Sequence, residues 1–230
     1  MNEHAQIVGN PVENFSTRSI NFNQQLKGHY CVLQCFNADT HGIKLYESLQ
    51  KDNNGESWTY LPYGPFDTYS AFKQWAEKMA GDPGVMLYAI LQAETLCPIG
   101  VAGYLRINPE QGVMEVGHLH YSSLLKKTIA ATEAMYLMMY QAMEAFQYRR
   151  YEWKCNTLNQ PSRSAAERLG FKFEGIFRQS NVFKGYNRDT AWYSIIDSEW
   201  PTLKRKFQRW LNPNNFDENG KQMVRLQEIV

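Results

Sequence analysis

Three short segments of this sequence carry residue types that could do chemistry. The first is Lys126-Lys127-Thr128-Ile129-Ala130-Ala131-Thr132-Glu133-Ala134, which joins a strand-like run to a helical one. A helix N-terminus has unpaired N–H groups and a partial positive charge, so it favours phosphate. Ala130 and Ala131 are small enough to let an anion approach the backbone, and Lys126 and Lys127 add charge. The plain alternative is a helix with a solvated first turn, which is the commoner case for such a segment taken alone. The second segment, Asn159-Gln160-Pro161-Ser162, opens a short helix that Gly170 stops. Ser162 reads equally as a reacting hydroxyl and as a cap of its own helix. The third is a single strand carrying Glu115, His118 and His120. An imidazole has the right intrinsic acidity for base work near pH 7. Strict alternation puts His118 and His120 on one face and Glu115 on the other. A strand histidine that only hydrogen-bonds within its sheet is the commoner case. The H-x-H spacing also suits two metal ligands, but no third ligand stands nearby, so no metal is expected.

These segments need a scaffold, and the hydrophobic pattern supplies one. Residues 85–93, 99–108 and 113–121 read as three strands of an antiparallel meander, with ETLCP and PEQG as turns. A first strand falls at 30–37, followed by a helix from an Asp39 cap to about Lys51. Asp67 or Thr68 caps a second helix, in which Phe72, Trp75 and Met79 recur at helical spacing before Gly81. A long helical run ends near Tyr148. Residues 150–156, 171–177 and 191–196 complete the strands, and a last helix covers 198–211. The expected organisation is an Asn- and Gln-rich arm over 1–29, one domain over 30–212 and a tail over 213–230.

Composition narrows the class. A chain of 230 residues, 43% hydrophobic and 20% charged, can bury a sizeable core and is too apolar for disorder. A net charge of +1 gives no pull toward nucleic acid, and none is expected as a partner. Cys31, Cys35, Cys97 and Cys155 form no CxxC pair. Cys31 and Cys35 share one face of a strand about 13 Å apart, too far to bridge. Four reduced thiols suit a cytoplasmic protein. The N-terminal residues have no basic-then-apolar leader, and no apolar stretch approaches the roughly 20 residues of a membrane span, so no membrane partner is expected.

Five runs, taken in order, resemble one family. They are ATEA at 131–134, N-x-P-S at 159–162, RLGF at 168–171, FEG-x-FR at 173–178 and NRDTAWYSIIDSEW at 187–200. With their intervening strands they resemble the GNAT acetyltransferases over roughly residues 30–200, and within them the RimJ/RimL-like branch. The resemblance implies an α/β (α+β) fold: a mixed, mostly antiparallel, six- to seven-stranded splayed sheet flanked by helices. It implies acetyl-CoA as cosubstrate, with the pantetheine arm hydrogen-bonded in the splay like an added strand. It implies direct attack of a primary amine, from a protein N-terminus or a small molecule, on the thioester in a ternary complex.

Carried over residue by residue, Gly117, His118 and Leu119 would meet the pantetheine and polarise the acetyl carbonyl. The family's Q/R-x-x-G-x-G/A loop falls on Lys126, Lys127, Thr128, Ile129, Ala130 and Ala131, with Thr132 following. Ile129 stands where glycine is usual, and a β-branched residue resists φ > 0. Lys126, Lys127 and Thr128 would then carry more of the pyrophosphate through their side chains. Asn159 matches a cofactor contact and Ser162 the acid for the leaving thiolate; Glu115, His118 and His120 are the base candidates. Trp58, Tyr60, Tyr63 and Phe66, in an aromatic loop, either line the acceptor side or pack as a lid on the core. The rival to an enzyme is a catalytically silent CoA-binding or structural module of the same fold, which Ile129 favours. A homodimer stays open.

Overall fold

The structure, a computed structural model, describes residue 4 and residues 6–13, 15–18, 20–22, 24–51 and 55–229. Its strands are β1 (Gln25–Lys27), β2 (Cys31–Cys35), β3 (Val85–Gln92), β4 (Pro98–Asn108), β5 (Val113–Tyr121), β6 (Arg150–Asn156), β7 (Lys172–Phe183) and β8 (Tyr186–Ile196). They form one sheet in the order β1-β2-β3-β4-β5-β6-β8-β7. The helices are α1 (Ala38–Gln50), α2 (Tyr69–Ala80), α3 (Ile129–Tyr140), α4 (Gln160–Arg168) and α5 (Trp200–Trp210). The sheet therefore has eight strands rather than six or seven, because the 1–29 arm contributes β1, paired with β2.

Local chemistry explains the elements. Asn37, not Asp39, caps α1 by accepting from the Thr40 amide at 2.9 Å, and Thr68 caps α2 through the Ala71 amide. Phe72, Trp75, Ala76 and Met79 bury one face of α2 against Leu87, Ala89, Leu91 and Val101 of the sheet. The opposite sheet face packs under α3 and α5, with Met114, Val116, Ala134, Met138, Tyr151 and Phe207 in its core. α3 stops at Tyr140 and passes into a π-helical turn, Gln141–Ala145, so the helical run to Tyr148 is not one regular helix. The last two strands are longer than expected and form a hairpin in which β7 is mostly exposed and β8 is partly buried. The expected tail, as far as residue 229, packs on the domain: Leu226 and Ile229 are buried in the α3–α5 core.

Glu133 ties α3 to the sheet edge. Its carboxylate accepts backbone hydrogen bonds from His29 (2.8 Å), Tyr30 (2.7 Å) and Cys31 (2.9 Å). The turn between β1 and β2 closes on that carboxylate, and a β-carbon on Gly28 would overlap it. The glutamate of the ATEA run is thus an anchor.

Two irregularities shape the sheet where chemistry could occur. The pair β5–β6 is the parallel one, spanned by the α3 crossover, and it ends at Val116↔Trp153. Beyond it β5 runs on to Tyr121, while β6 stays with β8 to Asn156. The sheet is split from that point. In the β4–β5 pair, Gly103 faces Gly117 and Val101 faces His120, so Ala102 opposes both His118 and Leu119. That is a β-bulge, and His118 takes a positive φ of 51° within it.

Candidate active site

The bulge changes which side chains meet. Paired residues share a sheet face, and Leu105↔Glu115, Gly103↔Gly117 and Val101↔His120 are in register. Residues 101, 103 and 105 alternate onto the face covered by α1 and α2. Glu115, Gly117 and His120 therefore lie on one face, and His118 joins them through its Nδ1, 2.9 Å from the Tyr63 hydroxyl. The expectation that Glu115 points away from the histidines fails, because the extra residue shifts the alternation by one.

A cleft of about 2150 Å³ opens at the split. Every residue carried over as a cofactor contact lines it: Gly117 to Leu119, Lys126 to Thr132, Asn159 and Ser162. At one end is the N-terminus of α3. Thr128 is its cap: the hydroxyl accepts from Ala131 N at 3.2 Å and donates to the Leu125 carbonyl at 2.7 Å, so it is committed to the helix. The left-handed residue of this loop is Lys127, with φ 63°, and Ile129 begins the helix two positions later. A β-branched residue is accommodated there, and the first-turn residues Ile129 to Thr132 line the cleft. Arg168 of α4 adds a cation, donating to Thr132 Oγ1 at 2.6 Å; burial draws its pKa down.

Midway lies Ser162. Asn159 caps α4 by accepting from Ser162 N at 3.2 Å, so the Ser162 hydroxyl is not the cap. It accepts from Trp153 Nε1 at 3.0 Å. Trp153 is core by burial, yet its N–H orients this hydroxyl. Burial raises the pKa of neighbouring Cys155, and Ser162 and the Arg188 guanidinium pull it partly back.

On the far face the charges are paired. Lys154 Nζ lies 2.8 Å from both Glu115 and Glu152 and 3.7 Å over the Trp192 ring. Arg106 reaches the same Glu115 oxygen at 2.6 Å, and Arg150 bridges Glu152 and Glu174. Glu115 is thus the hub of an ion-pair chain, with two cations on one oxygen. Burial would raise the Glu152 pKa, but hydrogen bonds from Lys154 and Arg150 outweigh it and hold it low. Burial, and then Arg106, lower the His118 pKa, with Asp82 opposing; burial raises that of Tyr63. His120, 2% exposed, sits under Trp58 with Nε2 3.1 Å from Ser57 Oγ.

Of the four loop aromatics Trp58, Tyr60, Tyr63 and Phe66, Tyr60 alone lines the cleft. Trp58, Tyr63 and Phe66 pack with Trp75 into the α1–α2 core, so the lid reading replaces the acceptor-lining one for them. Sequence reasoning missed Arg168, Trp153 and Lys154. The RLGF run contains the first, and the second and third flank the end of the β5–β6 ladder, a place no periodicity marks. Among the described residues no cluster of three or more metal-ligating side chains occurs, and no helix is long and apolar enough to cross a membrane.

Comparison with known proteins gives this architecture its class. The family model for the acetyltransferase (GNAT) domain matches residues 37–172. The chain belongs to the GNAT acetyltransferase family. A GCN5-related N-acetyltransferase from Brucella melitensis is 40% identical with a TM-score of 0.92, over 94% of this chain and 98% of that one. A GNAT-family structure from Chromobacterium violaceum is 33% identical with a TM-score of 0.80, over 85% and 98%. The acetyltransferase MccE, solved with acetyl-CoA and AMP, shares the fold at 17% identity and a TM-score of 0.65, over 74% and 93%. No curated protein matches the sequence.

Proposed function

We propose that the protein moves the acetyl group of acetyl-CoA to a primary amine in a ternary complex. The observation that carries this is the split beyond Val116, which brings a stretch of β5 whose β6-side edge has no partner strand, the α3 N-terminus and the Ser162 hydroxyl into one cleft. The residues fit the cosubstrate. Gly117 to Tyr121 offer a strand edge for an extended amide chain. The first turn of α3, with Lys127 and Arg168, offers amides and charge for a pyrophosphate. Acetyl-CoA, when bound, supplies an acetyl thioester as the electrophile.

The chain's own groups divide the remaining work. Ser162 Oγ accepts from the Trp153 N–H and neighbours the Cys155 thiol, and its O–H turns from that thiol to a departing sulfur. Backbone amides near the bulge are placed to polarise a carbonyl. A His118 that donates Nδ1–H to the Tyr63 oxygen keeps its Nε2 lone pair for the proton of the acceptor amine. Glu115, held by Arg106 and Lys154, organises that face. The run of motifs supports a RimJ/RimL-like reading, in which the acceptor is a protein N-terminus or a small amine. Four free cysteines suit a cytoplasmic site of action.

Calorimetric titration with acetyl-CoA, with exchange protection mapped, tests the binding half. Heat is expected, with protection of 117–121, 126–132 and 159–162; no heat and no protection sink the reading. For His118 the neutral form is the base, so kcat/KM is lost as pH falls through its pKa. That acidic limb is expected below the ordinary histidine value of about 6.5, because burial lowers it. His118→Gln is expected to cost about 10²-fold in kcat/KM and to abolish the limb. A limb that persists in the variant assigns the base elsewhere.

A further inference from the structure

We propose that the acceptor amine carries a carboxylate near its amino group and that Arg188 binds this carboxylate. The proposal rests on the transferase reading and adds the chemical class of the acceptor.

Arg188, Thr190 and Trp192 alternate onto one face of β8. Trp192 is paired with Lys154, and Lys154 reaches Glu115, so this is the face that also carries His118 and His120. Thr190 pairs with Asn156, the last residue of β6, so Arg188 lies just past the end of that strand, where it lines the cleft. Its guanidinium is held. Nε donates to Thr190 Oγ1 at 3.2 Å, and the group lies 4.6 Å over the Phe183 ring. One edge is thus committed and the side chain is oriented before any ligand arrives.

Charge balance points to what the other edge takes. Arg106, Glu115, Lys154, Glu152, Arg150 and Glu174 alternate in sign and neutralise one another. Lys184 gives its ammonium to the Trp58 carbonyl at 2.9 Å. Glu56 stands exposed at the rim. Arg188 is half-buried, and among the described residues no carboxylate pairs with it. Burying a cation without a counter-charge is costly, and an anion supplied by a ligand relieves that cost. Burial lowers the Arg188 pKa although Cys155 and Glu115 nearby pull the other way, so the charges already present do not offset the burial. The phosphates of acetyl-CoA do not account for it, because the α3 N-terminus and Arg168 lie with the α3 side of the sheet. The planar fork of arginine suits a carboxylate in two parallel hydrogen bonds.

The test compares four amine types: free amino acids, their amides, peptides with or without an acidic residue near the N-terminus, and an aminoalkyl phosphate. Each is assayed for acetyl transfer and titrated calorimetrically into the CoA-loaded protein. A preference of at least about tenfold for carboxylate over amide is expected, the scale of one charge-assisted contact. The free amino acids and the acidic peptides show which source carries the carboxylate. Arg188→Gln is expected to collapse the ratio and Arg188→Lys to restore it in part. Unchanged acetyl-CoA affinity in both variants shows that they are folded. Equal binding of acid and amide, a preference that survives Arg188→Gln, or a phosphate bound more tightly than a carboxylate overturns the proposal. Carboxylate-selective binding without transfer to any amine sinks the transferase reading instead.

Discussion

Ser162→Ala is expected to lower kcat by about 10²-fold or more while the Kd for acetyl-CoA moves by less than about threefold. A proton donor to a leaving thiolate acts in the transition state, so its loss appears in turnover and not in ground-state binding. Two contacts make Ser162 a clean subject. The α4 cap is Asn159, so the helix does not need the hydroxyl. The Trp153 N–H occupies an oxygen lone pair, so the hydroxyl proton is free to move from the neighbouring Cys155 thiol to a leaving group. The substitution also strands a buried indole N–H, which costs about 1–3 kcal/mol of stability. Thermal unfolding measured in parallel separates that loss from catalysis. If affinity falls and turnover per bound complex does not, Ser162 is a cofactor contact and the donor lies elsewhere.

The second large effect is on folding. Glu133→Ala removes the acceptor of three backbone amides at residues 29–31 and leaves a buried void beside Gly28. Each orphaned donor costs about 1–3 kcal/mol, partly relieved if water enters. The net loss is expected near 3–5 kcal/mol, the scale of breaking a buried charged network. For a chain of this length that is about 10 °C in Tm. Glu133→Gln is expected to be poor as well, since its amide presents two donors to a site made of donors. Hydrogen exchange should show the amides of 29–31 losing protection first. A Tm within about 2 °C of the parent would mean that the turn closes without the carboxylate.

What the sequence revealed follows from which signals are local. Strands β3 to β6 were legible because alternation and turn residues are short-range, and α4 because Asn159 and Gly170 bracket it. β1 was not, since three residues alternating exposed, half-buried, exposed carry no pattern of their own. The anchoring role of Glu133 has no local signal, because its three donors come from residues about a hundred positions earlier. Trp58, Tyr63 and Phe66 have the composition of a recognition loop, and only tertiary packing turns them toward Trp75. Nothing local in the sequence singles out Lys154 or Arg188; their meaning arises from what the split leaves beside them. The cofactor side fared better, since a strand–loop–helix junction is contiguous in sequence, whereas the acceptor side is assembled from five separate segments.

The extra residue in β5 also governs how relatives should be compared. A strand without it would put position 118 opposite Ala102, whose side is the α3 core. An alignment that runs ungapped through Gly117 to Tyr121 against such a relative pairs His118 with a buried apolar position and moves every later residue onto the wrong side. Roles transferred across that point need the insertion placed at His118-Leu119, opposite Ala102. The same insertion explains how an imidazole comes to face a cavity from a strand whose parity would have hidden it. An evolutionary gain or loss of a single codon there would switch the acceptor face of the site while leaving both flanking ladders in register.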